Sequence, residues 1–71
     1  MDEILEEVKM IVSDHLGLPD WKVKNETELT GIHREAIMMD CEQHYEIDFQ
    51  VEDFGTLKTV EQLVNRIKEI H

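Results

Sequence analysis

Leu57-Lys58-Thr59-Val60-Glu61-Gln62-Leu63-Val64 is the stretch whose reading decides the fold. Gln62 follows Thr59 by three residues, the spacing at which an N-cap hydroxyl and a side-chain amide each satisfy the other's backbone N–H and open a helix. Val60, Leu63, Val64, Ile67 and Ile70 then recur at steps of three and four, so one face of this last helix is apolar and has to be buried. Lys68 and His71 lie near its end, where positive charge suits the helix dipole.

Moving outward from that helix, Val51 to Phe54 reads as one further short turn ended by Gly55, and Ile47 and Phe49 return to the core through an extended link. A second helix is predicted from Thr30 to about Tyr45, with Ile37, Cys41 and Tyr45 on one stripe and Ile32 and Ala36 on an adjoining face. Leu18 to Leu29 holds Pro19, Asp20, Asn25 and Thr27, residues of turn chemistry. It reads as a loop pinned to the bundle by Trp21, Val23 and Leu29, with Asp20 capping a short turn. From Asp2 to Leu16, Ile4, Leu5, Val8, Ile11, Val12 and Leu16 form a helical stripe, and Gly17 is placed to end it. No β alternation interrupts this pattern. The fold class expected is all-α: a small four-helix bundle of three main helices and one short helix, with a long loop after the first, as a single domain over residues 1–71.

Seventeen acidic residues against seven basic ones give a net charge of −10, which argues against nucleic acid and against anionic lipid headgroups, since both need clustered Lys and Arg. The natural complement is a protein partner with a basic surface. Cys41 is the sole cysteine, so no internal disulfide can form, and a lone thiol suits the reducing cytoplasm. No apolar run approaches a membrane span, and the acidic opening Met1-Asp2-Glu3 is unlike the basic start of an export leader. A monomeric cytoplasmic protein is expected.

Three stretches, in this order and spacing, resemble the acyl and peptidyl carrier proteins over essentially the whole chain. Glu7 to Gly17 is similar to the first helix of that family with its Leu-Gly ending, Asp40 to Phe49 to the end of its second helix, and Leu57 to Val64 to the entry into its last. The resemblance implies an acyl-carrier-like bundle, and it implies an Asp-Ser-Leu triplet opening the second helix, whose serine receives a 4′-phosphopantetheine arm. Counting back from Tyr45 without gaps sets Thr30-Gly31-Ile32 at those positions. Gly31 has no hydroxyl to phosphorylate, Thr30 replaces the acid, and the loop leading in is shorter than the family usually has. Ser13, the only serine, falls inside the first helix.

The expectation is therefore a carrier-like scaffold with no cofactor and no catalytic residue, acting as a protein-interaction module, with an acyl-chain biosynthetic enzyme as the implied partner class. The resemblance assigns the docking face to the second helix, here Ile32, Arg34, Glu35, Met38, Met39 and Glu42, with Met38 and Met39 either as adaptable apolar contacts on its exposed side or as cover for the edge of the core. The alternative is an active carrier with its 4′-phosphopantetheine on the Thr30 hydroxyl. A minor alternative is a metal-binding domain around Asp40, Cys41, His44 and His33, disfavoured because Cys41 points about 100° away from the Asp40 and His44 side of the helix. Asp40 and His44 read instead as a surface pair. Cys41 with His44 lacks the third residue and oxyanion hole that thiol catalysis needs.

Overall fold

A computed structural model describes residues 2–71. The capping and spacing signals become four helices among these residues, α1 Glu3–Leu16, α2 Gly31–Tyr45, α3 Asp53–Thr56 and α4 Val60–Ile70, and the chain is the expected all-α bundle with a long loop after α1.

The caps explain where each helix begins and ends. The Asp2 carboxylate accepts the Leu5 N–H at 3.1 Å and so starts α1 from outside it. Gly17 closes α1 at φ 68°, a left-handed conformation in which it donates its N–H to the Ser13 carbonyl, and glycine adopts it without strain. At α4 the predicted capping box is present: Gln62 N–H donates to the Thr59 hydroxyl, and the Gln62 amide oxygen accepts from the Thr59 N–H.

The loop contributes to that same helix start. Val60 N–H donates to the Thr27 carbonyl and Glu61 N–H to the Asn25 carbonyl, each at 3.0 Å, so groups that have no partner inside α4 find one in the loop. Leu29 N–H donates to Lys58 at 2.8 Å beside a bridge between Glu28 and Thr59. Val23 and Leu29 anchor this arrangement in the core, but Trp21 does not: it is 69 % exposed, carried outward by the 3₁₀ turn Asp20–Lys22, with the Lys22 ammonium 5.3 Å from its ring centre. Pro19, not Asp20, occupies the cap position of that turn, and Asp20 contributes its carbonyl to the Val23 N–H.

The short helix α3 starts at Asp53 and contains Gly55, two residues later than the sequence suggests. The cause is the Asp53 carboxylate. It accepts the Gln50 N–H at 2.9 Å and is held by the Arg66 guanidinium of α4 at 3.1 and 3.2 Å, which fixes the helix start there.

Helix α1 packs against both α2 and α4. Val8 and Val12 meet Ile37, Met38 and Cys41 from α2 and Val60, Leu63, Val64 and Ile67 from α4 in one buried core, completed by Phe49 and Leu57. Polar groups staple the seams. His15 Nε2 lies 2.9 Å from Asp40, the Tyr45 hydroxyl donates to Glu7 at 2.8 Å, His44 Nε2 stands 3.6 Å from Glu7, and Lys68 pairs with Asp2. The expected pairing of Asp40 with His44 is thus replaced by two pairings to α1, because the neighbouring helix offers each a closer partner.

Candidate functional site

The position that the resemblance aligns with the attachment serine opens α2. Thr30 stands at the N-cap, but its hydroxyl makes no capping bond; its carbonyl accepts from the His33 N–H at 3.2 Å. Gly31, the first helical residue, has φ 52°, a left-handed conformation that an L side chain adopts only under strain, although the space beyond its Cα is open. The departure from a serine is therefore conformational as well as chemical. Gly31 offers no oxygen to a phosphopantetheine arm and the Ser13 hydroxyl is engaged with the Leu18 carbonyl at the end of α1, whereas Thr30 is exposed with its hydroxyl making no capping bond.

The helical turn separates the six residues of the expected docking face into three places. Ile37, Met38 and Cys41 share the buried side of α2, so Met38 is fully enclosed and cannot be a surface contact. The stripe predicted through Ile37, Cys41 and Tyr45 is real, yet it widens toward Met38 and not toward Ile32 and Ala36, because Met38 lies on the side that joins the core with α1 and α4. Arg34 lines a cleft at the α2 start with Thr30, Gly31, Glu28 and Lys58.

Ile32, Glu35, Met39 and Glu42 remain together on the open side. Ile32 is 84 % exposed and Met39 51 %. Two clefts run along this side, one of about 250 Å³ lined by Ile32, Glu35, Ala36 and Met39, the other of about 420 Å³ lined by Glu35, Met39, Glu42, Val51 and Phe54. Sequence reasoning omitted Val51 and Phe54. Their signal is an apolar pair flanking two acids in the short turn expected over residues 51–54, to which no contact surface is assigned; Val51 stands 85 % exposed.

Glu42 has a structural duty in this wall. Its carboxylate accepts the Phe49 N–H at 2.8 Å, tying the link after α2 back onto the helix. That link leaves α2 through Glu46, a non-glycine residue at φ 55° whose N–H caps the Glu42 carbonyl.

Cys41 is enclosed, and burial, with Asp40 and Glu42 adding to it, pushes its thiol up to about 12, so the thiolate that metal binding or nucleophilic attack requires is disfavoured. Burial and the bond to Glu7 likewise raise the Tyr45 hydroxyl above its ordinary range. Among the described residues no three His, Cys, Asp or Glu side chains gather as a metal site, and no helix is long and apolar enough to cross a membrane. No family model matches the chain.

Proposed function

We propose that this chain is an acyl-carrier-like bundle that does not carry 4′-phosphopantetheine and serves as a protein-interaction module, docked through the open side of α2 on a partner with a basic surface, in the context of acyl-chain metabolism. The observation that carries the first half is Gly31: it has no hydroxyl, and its left-handed backbone is one a serine would resist. The second half is supported by a groove of exposed apolar side chains beside Glu35 and Glu42 on a chain of net charge −10. A complementary basic partner would be steered toward such a surface, more strongly at low salt. The protein on this reading is a cytoplasmic monomer without catalytic activity, the lone buried thiol being compatible with a reducing compartment.

Intact-mass measurement after incubation with a phosphopantetheinyl transferase and coenzyme A tests it. The expected result is an unchanged mass. A gain of one pantetheine-phosphate unit overturns the reading. A second reading, an active carrier modified at Thr30, draws on the absence of a capping bond from that exposed hydroxyl. It requires the mass gain to disappear in Thr30→Val.

A further inference from the structure

The geometry points to a cationic amphipathic helix as the occupant of the α2–α3 groove. This deepens the interaction-module reading and rests on it.

Along the open side of α2, Ile32, Ala36 and Met39 follow one another at i, i+4 and i+7, a stripe about 10 Å long at the helical rise per residue. Val51 and Phe54 form the facing wall. The two clefts adjoin at Glu35 and Met39, which line both, so the apolar side chains of α2 and of the α3 region border one surface. Its length matches two turns of a helix laid on it by its own i, i+3, i+4 and i+7 side chains. The wall is held in shape from behind: the Phe49 ring meets Phe54 edge-on at 6.3 Å, and the Glu42 carboxylate fixes the Phe49 backbone.

Charge selects among occupants. Both charged residues lining the groove, Glu35 and Glu42, are acidic. A second copy of this chain would set these acids against its own and bring two charges of −10 together, and an anionic membrane surface would be repelled in the same way. An extended peptide would need a sheet edge to pair with, whereas both walls of this groove come from α2 and the α3 region, where backbone hydrogen bonds are made within helix and turn. A helix satisfies its own backbone. With lysines or arginines flanking its apolar stripe, it would answer Glu35 directly, while Glu42 adds its charge from its place on Phe49.

The test titrates the full chain with a synthetic helix-forming peptide of two to four turns, carrying leucines at i, i+3, i+4 and i+7 and lysines elsewhere, with amide chemical shifts and peptide circular dichroism as readouts. The expected result is a gain of peptide helicity, shifts concentrated at residues 32, 36, 39, 51 and 54, and affinity lowered roughly tenfold or more in the double variant Ile32→Ser, Val51→Ser. These side chains are exposed, so the variant should keep its melting temperature. Equal binding of a scrambled peptide with the same composition but no apolar face overturns the proposal, as does a glutamate-for-lysine peptide that binds equally well, shifts centred on Trp21 or Arg34, or a concentration-dependent dimer abolished by the double variant. No peptide binding together with an unchanged mass in the transferase assay rejects this occupant alone. A pantetheine mass gain rejects the non-carrier reading and leaves the peptide result to stand or fall separately.

Discussion

At the scale of the residue, two left-handed positions tell opposite stories. Gly17 ends α1 where glycine is the expected terminator, and the sequence announced it. Gly31 begins α2, and nothing in the sequence announced φ 52° there; the letter G could equally have stood for a serine lost on an ordinary helical backbone. The distinction is measurable. In Gly31→Ser the new side chain meets open space, so the cost is that of the backbone alone, about 1–2 kcal/mol, read as a lower urea midpoint at unchanged slope. A variant as stable as the parent would mean that the helix start relaxes to ordinary φ. Glu46 is the converse case, a glutamate in a left-handed cap that no sequence rule for helix ends would select.

At the scale of the element, the helix starts depend on partners distant in sequence. The Thr59 and Gln62 box was legible because both halves lie within one turn. The loop carbonyls of Asn25 and Thr27, which cap the same helix, were not, since backbone groups leave no trace in the letters. Helix α3 shows the same limit: four residues cannot hold a helix alone, and its start is set by Asp53 reaching Gln50 and Arg66. Asp53→Ala leaves the half-buried Arg66 without its carboxylate and the Gln50 N–H without its acceptor. It is expected to lower stability by about 2–3 kcal/mol. Asp53→Asn, which can still accept from Gln50, should lose clearly less in the same chemical denaturation; equal losses would show that the ion pair, not the turn, is what matters.

At the scale of the whole molecule, enclosure of Cys41 by α1, α2 and α4 governs both reactivity and pH dependence. The native thiol should be inert to a disulfide reagent at neutral pH and react at full stoichiometry once the chain is unfolded in urea; rapid native labelling would contradict the packing. Its folded-state value, pushed from 9.0 to about 12, means that the unfolded chain releases this proton first. Stability is accordingly full below about pH 9 and declines as pH rises toward 12, with Tyr45, also raised, acting in the same sense. Melting temperatures across that range, compared with Cys41→Ala, check the sign. By itself the sequence determined the number and order of helices, the caps at Gly17 and Thr59, and the absence of a hydroxyl at Gly31, because periodicity and capping are local and 3.6 residues per turn suffices to read them. Only the tertiary structure decided which sides of α2 are covered: Met38 went inside, Trp21 and Val51 stayed out, and Glu35, Met39 and Glu42 came to line a cleft with Val51 and Phe54. A helix with apolar residues on more than one side can turn any of them inward, and only the elements packed against it settle which.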